Sequence, residues 1–228
     1  GVHPHRGVLP RIESSSRSES RTERAVWLSA TMRVAFLLFD TMDLMDFAGP
    51  FEVFLTANRL RERAGQAAPF EVTTVSPGGR DVTAYGGLRV GVDADVSQMA
   101  ATDVPSPDVV VVPGTIDIES ATADVVLGEA VATLAAHAEV TASVCTGAFL
   151  LAQADVLAGH RWTTHWEDLA ELSHRQPGAQ AARVVDSGAV VTAGGIACGL
   201  DLGLHLVARL LADEPFARSV ARQMDYDW

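Results

Sequence analysis

The sequence predicts an α/β fold: a doubly wound, mostly parallel sheet with helices on both faces. Three observations predict it. The apolar runs "RVAFLLF" (33–39) and "DVVVVPG" (108–114) have the length and continuity of strands buried on both sides. Stretches of helical pattern alternate with such runs through most of the chain, the signature of an open parallel sheet. Finally, "EVTASVCTGAFLLAQA" (139–154) passes from strand-like to helix-like residues at Cys145 with no loop between, the pattern of a nucleophile elbow.

The elements follow in order. Residues 1–31 mix Ser, Arg and Glu without an apolar stretch of signal-peptide length, and are expected to be a disordered tail or an extended start. One domain is expected over 32–228, long enough for a substantial core. After the strand at 33–39, Pro50 is placed in the first turn of a helix, where a missing N–H costs little, and Gly65 closes that helix. Residues 70–76 read as a second strand. The Gly-centred alternation of 81–97 reads as a hairpin or irregular excursion. Beyond the strand at 108–114 come a helix at 121–138, a strand at 140–144 and a helix at 147–158 closed by Gly159. Asp-Ser-Gly inside "RVVDSGAVVTAGG" (183–195) marks another hairpin, and 200–211 and 215–224 supply the closing helices.

Composition narrows the function. The formal charge is -12 and the chain contains no lysine, so a phosphate-tracking surface is absent from the reading and nucleic acid is not expected as a partner. Cys145 and Cys198 lack the spacing of a disulfide framework or a metal site, which places the chain by default in a reducing, cytoplasmic setting. No window approaches the roughly 20 apolar residues of a membrane span, so a soluble protein is expected. No histidine spacing matches a metal site, and no metal is expected.

In a parallel α/β sheet, the carboxyl ends of the strands share one edge, where sites collect. That edge receives the loop 40–46, the segment 113–116, Cys145 with Thr146, and Thr164 with His165 after "HRWTT". A thiol at a helix N-terminus meets unpaired N–H groups and a partial positive charge, so Cys145 is expected to lose its proton readily and serve as nucleophile. The plainer role is a buried structural cysteine. Asp43 and Asp46 are both candidate proton managers. Asp46 is favoured because it lies directly before the Phe-Ala-Gly-Pro stretch, though a helix cap would also suit it. The amides of Gly114, Thr115 and Thr146 are candidate donors to developing negative charge. His165, followed by Trp166, is read as pocket lining with them and Thr164 rather than as a catalytic base. Cys198, in "TAGGIACGLDLGLHL", is read as a small packed residue near the site.

Together "FLLFDTMDLMDFAGPFEVF", "VVVVPG", "SVCTGAFLLAQADVLAGHRWTTHW" and "VVDSGAVVTAGGIACGLDLGLHL" resemble the ThiJ/PfpI superfamily, within the class I glutamine amidotransferase-like fold. The resemblance implies a flavodoxin-like doubly wound sheet, a homodimer and no cofactor. Cys-Thr-Gly at the elbow with "TTHW" is similar to two branches: isonitrile hydratases and the amidotransferase-like domains of AraC-type transcription regulators. Asp46 and Thr146 replace the first-loop glutamate and the histidine beside the nucleophile of the protease and glyoxalase branches. The resemblance thus implies a small-molecule carbon–nitrogen substrate, with Cys145 attacking an isonitrile and Asp46 protonating the adduct. The regulator branch implies instead a ligand- or redox-sensing domain. Hydratases carry Gly-Gly after the proline where this chain has Gly114-Thr115, so the Thr115 Cβ is expected to narrow the pocket or restrict the backbone.

Overall fold

The computed structural model describes residues 31–228. The tail expected before Met32 therefore lies, apart from Thr31, outside the described residues. The sheet has seven strands. β1 (Met32–Leu37) pairs in parallel with β2 (Phe70–Ser76) on one side and with β6 (Val109–Val112) on the other. β6 pairs with β7 (Val140–Val144), and β7 with β9 (Val190–Ala193), again in parallel. The short β5 (Ala94–Asp95) extends one edge beside β2, and β8 (Val184–Asp186) closes the other as the antiparallel partner of β9. The order is β5-β2-β1-β6-β7-β9-β8. A separate hairpin, β3 (Val82–Thr83) with β4 (Arg89–Val90), forms where the glycine-centred alternation predicts it; Gly86 and Gly87 take positive φ in its turn.

The valines of β6 are wholly buried, as the continuous apolar run requires of a central strand. α1 (Leu44–Arg63) packs on β1 through Phe47, Phe51 and Phe54, whose spacing puts them on one helical face. Their ring centroids lie 5.6, 5.6 and 6.2 Å from that of Phe36. α1 also crosses α7 (Cys198–Leu211), which packs in turn on α8 (Glu214–Gln223). A second group, α3 (Ile118–Ala123), α4 (Val125–His137) and α5 (Gly147–Gln153), packs together and against β6 and β7.

Four expectations are corrected. Pro50 lies inside α1 rather than in its first turn, because the helix begins at Leu44. The interior proline is accommodated where α1 meets α7: a side chain at Gly199 would come within 3.0 Å of the Pro50 ring, so that glycine makes room for it. The helix expected over 121–138 breaks at Asp124, whose backbone is extended and whose carboxylate accepts from the Leu127 amide at 3.1 Å to start α4. The helix expected over 147–158 stops at Gln153, and Asp155 follows in the left-handed region. "HRWTT" is no strand; the Thr163 amide donates to Thr192 Oγ1 at 2.8 Å, so the segment runs beside β9 without joining the sheet.

The α1/α7 crossing yields a stability prediction. A Cβ at Gly203 would sit 2.8 Å from Val53 Cβ, which belongs to a stiff β-branched side chain. Gly203→Ala is therefore expected to lose about 1–2 kcal/mol net, overpacking outweighing the better helix propensity of alanine. A denaturant titration showing unchanged or raised stability would contradict this packing.

Candidate functional site

The elbow is built where β6 and β7 end side by side. Cys145 follows β7 directly with φ +57°, a left-handed conformation that costs a non-glycine residue of order 1–3 kcal/mol and survives only where its surroundings hold it. The Cys145 amide donates to the carbonyls of Ala193 at 3.1 Å and Gly194 at 2.9 Å, and the Cys145 carbonyl accepts from Thr164 Oγ1 at 2.8 Å. Thr146 fastens the other side. Its hydroxyl accepts from the Thr115 amide at 2.8 Å and donates to the Thr115 carbonyl at 2.6 Å, tying the exit of β7 to the exit of β6. Only glycine fits between them: a Cβ at Gly114 would lie 2.7 Å from the Thr146 amide nitrogen, and one at Gly147 would strike the Val112 carbonyl oxygen.

Asp46 reaches this junction from the first turn of α1 and is completely buried. Its Oδ2 accepts from the Gly114 amide at 3.0 Å, while Oδ1 is buried without a completed hydrogen bond among the described residues. Burial pushes the Asp46 pKa up from 3.8 to about 7; the Gly114 amide opposes the rise, the Asp43 charge adds to it, and hydrogen bonding by the Cys145 thiol opposes it. Asp43 occupies the N-cap position of α1 without making a side-chain cap bond. Burial raises its pKa, with His165 acting the other way. One oxygen of each carboxylate and Sγ of Cys145 all lie within 4.8 Å of one another. The N-cap role considered for Asp46 is thus not the one it has.

The electrostatics reverse one expectation. Cys145 is no ready thiolate: burial, and then the Asp46 charge, push its pKa up to about 12. The amides of Ile196 and Thr146 favour the thiolate but do not outweigh those two effects. The helix N-terminus was the feature visible in sequence, whereas depth and an adjacent carboxylate dominate in space. Gly114 and Thr115 are corrected likewise as negative-charge donors. The first amide is engaged by Asp46 and the second by Thr146, so neither is open to a substrate in this arrangement. The Thr115 hydroxyl donates to the Thr41 carbonyl at 2.9 Å and accepts from the Asp117 amide at 3.2 Å, which ties the side chain to the loop around it.

Thr164 anchors the elbow carbonyl, as described. The His165 ring packs against Gly195 so tightly that a Cβ there would overlap it, and Nδ1 accepts from the Glu167 amide at 3.4 Å. His165 acts on Asp43 and Asp168, lowering the pKa of each against the effect of burial. Trp166 is 75% exposed, with its ring centroid 5.8 Å from that of His165, at the rim rather than in a wall. Cys198 is buried at the start of α7, and both cysteines are free thiols. Sequence reasoning missed Ile196, whose amide acts on the sulfur. The Gly194-Gly195 pair just before it was the available signal of close backbone approach.

The left-handed strand-to-helix turn at Cys145, set in a doubly wound sheet beside a buried carboxylate, makes this an elbow-cysteine α/β protein. The chain belongs to the DJ-1/PfpI family, whose model matches residues 32–209. It is 30% identical to an isonitrile hydratase of Pseudomonas putida over 197 residues, covering 86% of this chain and 78% of that protein. It is 32% identical to the HTH-type transcriptional regulator GbdR of Pseudomonas aeruginosa over 182 residues; this match covers 77% of the chain and only 46% of the regulator. Among solved structures, a THiJ/PfpI family protein from Pseudomonas syringae superimposes with a TM-score of 0.74 at 27% identity, covering 99% of this chain and 84% of the other.

Asp46→Asn separates these effects. Removing the carboxylate charge lowers the thiol pKa, so iodoacetamide should label Cys145 faster than in the parent chain, by about tenfold at neutral pH. An unchanged rate would contradict the coupling. The same variant tests linkage. The folded pKa of Asp46, about 7, exceeds its unfolded value of 3.8, so the folded chain holds a proton that the unfolded chain releases between those values. Stability is therefore lost as pH rises through that window, and the full penalty stands above it. Asp46→Asn should raise Tm by several degrees at about pH 8 and have little effect near pH 4, by thermal melts across that range.

Proposed function

We propose that this protein is a cysteine-dependent hydratase of a small carbon–nitrogen substrate, an isonitrile converted to an N-substituted formamide. The carrying observation is the pairing of Cys145 with a buried carboxylate, Asp46, that has a pKa of about 7 and an open oxygen. The 30% identity to an isonitrile hydratase supports the substrate class.

The resting pair holds its proton on sulfur, with Asp46 partly ionised at neutral pH. On substrate binding, Asp46 takes the thiol proton as Sγ bonds to the terminal isonitrile carbon. Asp46 then gives that proton to the same carbon, leaving a thioimidate on Cys145. Water adds to this carbon, a proton passes to nitrogen, and the carbon–sulfur bond breaks. The departing sulfur regains a proton, and the product is the formamide. The balance is one isonitrile plus one water giving one formamide, with no oxidant, reductant or organic cofactor. The amides of Ile196 and Thr146 stabilise negative charge on sulfur during addition and departure. Thr164 holds the elbow, and His165 and Trp166 line the approach, with the Trp166 ring offering apolar surface to the N-substituent.

A second reading has its own support. The regulator GbdR is 32% identical over 182 residues, in keeping with a ligand-sensing domain that retains Cys145 as a contact. The two readings part on turnover. Purified protein with an aryl or alkyl isonitrile is expected to yield formamide. Cys145→Ala should abolish turnover, and Asp46→Asn should lower it by about 10²–10⁴-fold. The parent rate should rise with pH through about 7, as Asp46 ionises to accept the thiol proton, and this limb should vanish in Asp46→Asn. No formamide from several isonitriles, with ligand binding that depends on Cys145, would replace the hydratase reading with the sensing one.

A further inference from the structure

We propose that Asp43, Asp46 and Cys145 form a binding site for one thiophilic divalent cation of the zinc class, and that its occupation closes the nucleophile to substrate. Binding as such does not depend on the hydratase reading; the inhibitory consequence rests on it.

The ligand set comes from two places distant in sequence, the start of α1 and the end of β7. Sγ of Cys145 and one oxygen from each carboxylate lie within 4.8 Å of one another. Tetrahedral zinc, with sulfur at about 2.3 Å and oxygen at about 2.0–2.2 Å, brings such donors to roughly 3.5 Å apart. The three side chains therefore need to close by about an ångström, within the reach of small χ rotations.

Two further observations direct this cluster toward a cation. Asp46 is fully buried, and its Oδ1 lacks a hydrogen bond among the described residues while Oδ2 is fixed by the Gly114 amide. A coordinating ion supplies the missing bond without displacing the existing one. The frame is also rigid: the Cys145 backbone is held by Ala193, Gly194 and Thr164, so the sulfur is presented from a fixed elbow. Charge points the same way. No arginine forms an ion pair with Asp43 or Asp46 among the described residues. With the thiol ionised, three negative charges converge, and a divalent cation offsets two of them. Sulfur sets the preference: magnesium and calcium favour all-oxygen sites, whereas thiolate favours zinc and its congeners.

Binding needs no redox partner. The metal–sulfur bond forms as the S–H bond breaks, and the thiol proton leaves to solvent, joined by the Asp46 proton when that group is protonated. Coordination then occupies both the sulfur that would attack and the carboxylate that would carry its proton.

The test uses the full chain and cobalt(II), whose charge-transfer absorption reports a thiolate ligand. One cobalt per chain is expected, with a thiolate–cobalt band displaced by zinc but not by excess magnesium. Cys145→Ser should abolish the band, and Asp43→Asn should weaken cobalt binding by at least about tenfold. Circular dichroism of both variants checks that they fold, and Asp43→Asn alone keeps the test decisive should Cys145→Ser fail to do so. No thiolate–cobalt band in the parent chain overturns the site, and so does full-strength binding in Asp43→Asn. A band with zinc displacement but no formamide production would uphold the cation site and overturn the hydratase reading. Formamide production unaffected by zinc, with no band, would do the reverse.

Discussion

The left-handed backbone of Cys145 is the constraint on which the rest of the site depends. An L-residue held at φ +57° between a strand and a helix needs surroundings that hold it, and the chain provides them from three segments distant from the elbow in sequence. Ala193 and Gly194 receive its amide, Thr164 holds its carbonyl, and Thr146 grips both backbone groups of Thr115. Gly114 and Gly147 are required because the exits of β6 and β7 run too close for any side chain. The same closeness lets the Gly114 amide reach Asp46, so the geometry that strains the cysteine also fixes its carboxylate neighbour.

That neighbour changes the chemistry of the thiol. A cysteine at a helix N-terminus is ordinarily made more acidic, but burial and Asp46 together drive Cys145 the other way, to about 12. The outcome is a protonated sulfur beside a carboxylate poised near neutrality. Such a pair can keep a proton within the site, since a carboxyl group of that pKa is able both to take the thiol proton and to give it back. Burial and the raised pKa also protect the Cys145 thiol from alkylation. His165 bears on the neighbouring carboxylates Asp43 and Asp168, holding their pKa values down against burial.

Much of the fold was legible because period and continuity report burial directly. The strand at 140–144 has the expected bounds, and the two Gly-containing hairpins form at β3/β4 and β8/β9. Helix ends were less legible, since they turn on single residues: Pro50 lies inside α1, where Gly199 leaves its ring room against α7, and Asp124 divides one helical pattern into two. In the site, the convergence of Asp46 with Cys145 follows from the common edge of a parallel sheet. The sign of the thiol shift does not, because depth is a property of the assembled core. Nor do the engagement of the Gly114 and Thr115 amides and the contribution of Ile196, which depend on which backbone groups meet across the junction.

Cys145 keeps its proton while Asp46 gives one up near neutrality. Infrared difference spectroscopy across a pH titration reads both groups at once, through the S–H stretch and the protonated-carboxyl C=O stretch, with Cys145→Ser and Asp46→Asn assigning the bands. The expected result is a Cys145 S–H band that persists well above neutral pH and an Asp46 carboxyl band that disappears around pH 7. Loss of the S–H band at or below neutral pH, with the carboxyl band still present, would contradict it.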